Sequence, residues 1–155
     1  MEKIDSLNQV AEFHRTFNAP ILETPQIPSK ERCELRVSLL QEELNELKQA
    51  IDDNDLVEIA DALCDLQYVL SGAVLEFGLG EKFVELFNEV QRSNMSKACD
   101  TELQAQETVE HYKAKGEEAF YEKSGNKFNV HRISDNKVLK NKYYSAADLK
   151  SIIEK

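Results

Sequence analysis

The stretch from Leu56 to Phe77 constrains the fold more than any other part of the chain. It reads LVEIADALCDLQYVLSGAVLEF. Wound as a helix at about 100° per residue, it places Glu58, Asp61 and Asp65 within one narrow stripe. Val69 and Ala62 border that stripe on one side, and Tyr68, Val57, Leu75 and Cys64 on the other. The remaining arc holds Ile59, Leu63, Leu66, Leu70 and Leu56. A helix that is apolar nearly all round has to be enclosed within an assembly. Its acids then need compensation, because a buried carboxylate is costly unless it is paired or bound to a metal.

The preceding run supplies a second acidic face. Lys30 to Asp52 reads as a helix carrying Glu42, Glu43 and Glu46, and Asp52-Asp53-Asn54-Asp55 forms a polar turn before the next one. Glu43 and Glu46 share a stripe with Leu39, Ala50, Arg32 and Arg36. A solvated face is the simplest account of any acidic stretch, but the apolar borders of the second cluster argue against it. Two such faces brought together form an oxygen cage suited to a hard divalent cation. For Arg32 and Arg36 two readings stand: an ion network with these glutamates or their neighbours, or a guanidinium turned towards phosphate. The three histidines, His14, His111 and His131, do not follow either acid motif by three residues, as di-iron bundles require. All-oxygen ligation therefore points to Mg2+, with Mn2+ the alternative.

The rest of the chain is organised around this pair. Residues 4–18 carry Ile4, Leu7, Val10/Ala11, His14 and Phe17 at helical steps. Pro20, Pro25 and Pro28 then make 19–29 an ordered loop, with Ser29 placed to cap the following helix. A fourth helix is expected over 81–94 and a more polar one over 101–115. KFNVHRI (127–133) alternates like a strand, with Val138-Leu139-Lys140 as its returning partner. Ser145 is placed to cap a terminal helix, with Asp148 at its third position. Short connections between the long helices favour antiparallel neighbours. The expected fold is all-α: an antiparallel four-helix-type bundle over 1–100, with a small C-terminal extension over 101–155, in one domain of 155 residues.

Charge and composition exclude several partners. The net charge of −10 argues against a nucleic-acid backbone, whose binding rests on many Lys and Arg contacts. A small polyphosphate remains open if metal ions stand between the two sets of negative charge. No apolar run reaches the roughly 18 residues of a membrane helix. The start, MEKIDSLNQV, does not read as a secretory signal. With three cysteines, Cys33, Cys64 and Cys99, the expected compartment is the cytoplasm.

Glu42-Glu43-x-x-Glu46 followed by Glu58-x-x-Asp61, with FHRTFNAP before and FNEVQRSNMSK after, resembles the MazG-like branch of the all-α nucleoside triphosphate pyrophosphohydrolases. That superfamily includes MazG proteins, dimeric dUTPases, dCTPases and phosphoribosyl-ATP pyrophosphohydrolases. The resemblance covers residues 1 to about 100. It implies Mg2+ held by Glu43, Glu46, Glu58 and Asp61, with Glu42 positioning or deprotonating the attacking water. It implies hydrolysis of a nucleoside triphosphate between the α and β phosphates, in a homodimer or homotetramer whose pocket is shared between subunits. Asn94 and Lys97 match positions that reach sugar or base and phosphate; the simpler account is a helix C-terminus with its cap and complementary charge. Phe13, His14 and Phe17 suit an aromatic wall against a base, although core packing is the simpler expectation for Phe17. Tyr68 packs on the sugar or fills the core. The role of Asp65 stays open. Two other functions fit the same residues: a module that binds a nucleotide without turnover, and a structural helical oligomer.

Overall fold

The helix ends follow local chemistry that the sequence spells out. In the computed structural model, which describes residues 4–155, helix α1 spans Ser6–Thr16, α2 Lys30–Asp52 and α3 Leu56–Glu76. Met1–Lys3, part of the stretch read above as no secretory signal, lie outside the described residues. The Ser29 hydroxyl accepts from the Arg32 amide at 3.4 Å and caps α2 as expected. Asp55 caps α3, its carboxylate accepting from the amides of Val57 and Glu58 at 2.9 and 3.2 Å. Asn54, at a φ of 55°, supplies the left-handed residue that lets α2 turn back into α3.

Gly78 ends α3. Its φ is +68°, its amide bonds Leu75 O at 3.1 Å, and the Leu79 amide bonds Val74 O at 3.0 Å. This is a Schellman closure, in which glycine carries no Cβ penalty. The proline loop lies along this end, with Leu22 N on Leu75 O and Gln26 N on Phe77 O, both at 3.1 Å. Ordered loop and helix terminus therefore satisfy each other's backbone groups.

The chain divides into two units at Phe83. In the first, α3 packs against both α1 and α2. Its apolar centre is small: Val10, Ala11 and Leu75, with Ile21 packed on them. Charge is unevenly shared. Seventeen acidic and seven basic residues lie at or before Phe83, against twelve of each after it, so the whole net charge of −10 resides in this unit.

One 3-10 turn at Gly80–Lys82 precedes α4 (Phe83–Met95), and the second unit begins at Val84 within that helix. It continues with α5 (Glu102–Lys113), strands β1 (Ala119–Ser124) and β2 (Lys127–Arg132), and α6 (Leu149–Ile153). β1 and β2 form an antiparallel hairpin in which Tyr121 pairs with Val130. The core is Cys99, Ala105, Val130 and Leu139.

Several expectations need correction. Ile4 lies outside α1 and is 82% exposed, so helix one is shorter than 4–18. The partner of the 127–133 strand is 119–124, while Val138 forms only an isolated bridge to His131. The Phe-Tyr pair of the true partner strand sits in a run of charged residues, which hid its alternation. The terminal helix starts at Leu149 and is capped by Asp148, whose carboxylate accepts from Ser151 N at 3.2 Å; Ser145 instead pairs with Ser96. Helix α3 is not enclosed within one chain: Leu56 and Val57 are 77% and 75% exposed, and Leu63 and Leu70 are also exposed.

Candidate carboxylate site between α2 and α3

The inner row of α2 is Arg36, Glu43 and Ala50, spaced by seven residues and facing inward. The inner row of α3 includes Ala62, Asp65, Val69, Gly72 and Glu76. The two rows form one seam, because α2 and α3 pack along each other. Small residues, Ala50 and Ala62, are buried near the turn. Glu43 and Asp65 follow in the middle. Arg36, Gly72 and Glu76 close the far end.

Of the six acids, Glu43 and Asp65 are half-buried, while Glu42, Glu46, Glu58 and Asp61 are exposed. Burial of all three acids on α3 within the chain is therefore not what the structure shows. Exposed apolar residues of α3, Leu56, Val57, Leu63 and Leu70, lie on the same helix as these acids. The electrostatics nevertheless join both motifs. Partial burial pushes the Glu43 carboxyl above the usual carboxylate range, and the charges of Asp65, Glu46, Glu42 and Asp61 push it the same way. Among the described residues, none of the six acids is ion-paired with a lysine or arginine. Carboxylates from two helices repel one another here, with no lysine or arginine of the described residues paired to them.

That donor set fits a hard divalent ion, since it is all oxygen, negatively charged and uncompensated. The side chains are not gathered around one point: among the described residues no three His, Cys, Asp or Glu side chains converge closely enough to hold an ion.

The arginines form an ion network, but its acid lies outside both motifs. Arg32 and Arg36 both bind Glu76, not Glu43 or Glu46. Arg32 is bidentate, with Nε on Oε2 at 3.0 Å and Nη2 on Oε1. Glu76 is 1% exposed. Burial alone would raise its pKa, but the hydrogen bonds and charges of Arg32 and Arg36 more than reverse this and hold it below the usual range. Sequence reasoning passed over Glu76. The available signal was an acid alone in the apolar second half of α3, with two arginines one turn apart on α2.

The aromatic residues divide between two faces of α1. Phe13 packs on Phe17 with ring centroids 4.4 Å apart and meets Tyr68 edge-on at 5.6 Å. This cluster borders the acid stripe, because Tyr68 follows Asp65 by one helical turn. Phe17 is 65% exposed, so it is not core. His14 points the other way. It is 2% exposed, and its Nδ1 lies 2.8 Å from Pro20 O. The three-residue wall of Phe13, His14 and Phe17 is therefore replaced by Phe13, Phe17 and Tyr68.

In the second unit, Lys97 Nζ donates to Asn94 Oδ1 at 2.8 Å near the end of α4.

Residues 10–94 match the family model described as phosphoribosyl-ATP pyrophosphohydrolase. The match spans more than half of the chain and includes all six acids. An uncharacterized protein of Acanthamoeba polyphaga mimivirus is 24% identical, in an alignment covering 99% of this chain and 97% of that relative. The alignment runs through the C-terminal elements that the family match leaves out.

Proposed function

Starting from the fact that the chain belongs to the phosphoribosyl-ATP pyrophosphohydrolase family, within the MazG-like superfamily, we propose that it hydrolyses a nucleoside triphosphate to the monophosphate and pyrophosphate. Family membership makes it a pyrophosphohydrolase-type enzyme. The observation that carries the finer reading is the set of unpaired carboxylates acting on Glu43 from both helices. A cluster of negative charge with no cation of its own is poor at binding a triphosphate unless a divalent ion intervenes.

Glu43, Glu46, Glu58 and Asp61 would hold Mg2+, with Mn2+ as the substitute. When bound, the ion neutralises phosphate charge and polarises the α-phosphorus. Glu42, exposed on α2 next to Glu43, accepts the proton of the attacking water. Phe13 and Tyr68, both partly exposed, offer ring faces on which a base can stack. Asn94 and Lys97 are proposed as substrate contacts on the strength of the SNMSK resemblance alone. Phosphoryl transfer demands positioning and charge stabilisation more than a covalent nucleophile, which suits this residue set.

Leu56, Val57, Leu63 and Leu70 support a homodimer or homotetramer, in which a second copy covers α3. Nucleotide-pool housekeeping in the cytoplasm completes the proposal.

The test is a panel of NTPs and dNTPs, incubated with and without Mg2+ and assayed for pyrophosphate. Mg2+-dependent release from at least one nucleotide is the expected result. Nucleotide binding without product would favour the sensing module, and neither binding nor product would favour a structural oligomer.

A further inference from the structure

The far end of the α2–α3 seam bears on the middle of it. Arg36 precedes Glu43 by two helical turns on the inner row of α2, and Glu76 follows Asp65 by three on α3. Near the turn, the small side chains of Ala50 and Ala62 are buried, and the Asp55 amide bonds Ala50 O at 3.0 Å. In the middle, like charges push the helices apart. At the far end, Glu76 draws in both Arg32 and Arg36. This triad supplies the only ion pairs between α2 and α3 among the described residues.

The surroundings are built to receive it. A Cβ on Gly72 would stand 2.7 Å from Arg36 Nη1 and 3.0 Å from His14 Nε2. The guanidinium therefore lies directly against the α3 backbone, with the ring of α1 beside it. The Nε of Arg36 is buried without a hydrogen-bond partner. Such an arrangement is not the cheapest way to pack three helices, since apolar residues of similar volume are often as stable or more so. What it adds is a fixed register.

We propose that Glu76 is a positioning residue for the carboxylate site: with Arg32 and Arg36 it holds α2 and α3 in the register that sets Glu43 against Asp65. The inference rests on the reading of Glu43, Glu46, Glu58 and Asp61, carried by the same two helices, as a metal site. Repulsion among the acids opens the seam, and the triad opposes it. A seam free to slide or splay would present the same carboxylates at the wrong separation, and ion affinity falls steeply with ligand misplacement.

The test uses the full chain and Mn2+ alone, with bound ion measured from the loss of the free-ion EPR signal. Circular dichroism and thermal melting run alongside. Wild type is expected to bind Mn2+ and Glu43→Gln to lose most of that binding. Glu76→Gln should stay helical and bind roughly tenfold more weakly, about the effect of one misplaced charged ligand. Arg32→Lys keeps the charge but loses the bidentate geometry, and should weaken binding about two- to threefold. The half-saturating Mg2+ concentration for pyrophosphate release should rise in the same order, with activity recovered at excess Mg2+. A purely structural triad would lower the melting temperature and leave ion affinity alone. A folded Glu76→Gln with wild-type Mn2+ affinity overturns the inference while sparing the metal site. If Glu76→Gln does not fold, Arg32→Lys decides, and unchanged affinity there overturns it equally. Equal Mn2+ binding by wild type and Glu43→Gln sinks the metal-site reading and this inference with it.

Discussion

A Cβ added to Gly78 would stand 1.9 Å from the backbone oxygen of Thr24. The Schellman turn after α3 and the proline loop after α1 are thus in direct backbone contact, and neither side can yield cheaply. Gly78→Ala adds the cost of a positive φ to this clash. It should destabilise the chain by about 2–4 kcal/mol. A lowered urea midpoint at unchanged m-value checks it.

Glu43 gives a pH signature of the opposite sign to an ordinary carboxylate. Its pKa is raised in the folded chain, so the native state binds the proton more tightly than the unfolded state does. Stability therefore falls as pH rises from the unfolded carboxylate value through the raised native one, and the penalty is full above it. Without divalent ions, Glu43→Gln should melt higher than wild type at neutral pH. The gap should close below the ordinary carboxylate range. Adding Mg2+ should reverse the order at neutral pH by stabilising wild type alone.

Glu89 behaves in the usual direction. Hydrogen bonds from Arg92 and from the Asp148 amide lower its pKa to about 2. Its contribution is present above the unfolded Glu value and is lost as pH falls from there towards about 2. The protection factor of the Asp148 amide, 2.9 Å from Glu89 Oε1, should fall over that range. Glu89→Gln should abolish the pH dependence of that protection factor.

Asn141 is the polar anchor of the second unit. Its backbone amide bonds Lys97 O at 3.0 Å, its Nδ2 bonds Ala98 O at 3.1 Å, and its Oδ1 accepts from Tyr143 N at 3.0 Å. Asn141→Ala leaves the Ala98 carbonyl and the Tyr143 amide without these partners. A loss of about 2–3 kcal/mol is expected. Native-state hydrogen exchange should show it first at the amide of Tyr143.

Local features were legible in the chain. The bounds of α2, its Ser29 cap and the turn at Asp52 to Asp55 follow from residues that interact within four positions. So does the alternation of β2. Its partner strand and the cap of α6 were not legible, because each depends on which of two similar polar residues or segments packs against the second unit. The acid motifs were visible as stripes, since helical spacing alone aligns carboxylates on a face.

Sequence by itself determined that α2 and α3 would be long helices with acids on one face each, and that the net charge would crowd into this part of the chain. Tertiary structure decided which acids meet. Glu43 and Asp65 turn inward along one seam, while Glu42, Glu46, Glu58 and Asp61 stay exposed. It also decided that Arg32 and Arg36 would answer Glu76, 44 and 40 positions away. Helical periodicity fixes a residue's angle on its own helix, but only packing fixes which residue of another helix stands opposite. That opposition makes one carboxylate a buried partner of two arginines and leaves the six acids of the two motifs without an ion pair to lysine or arginine among the described residues.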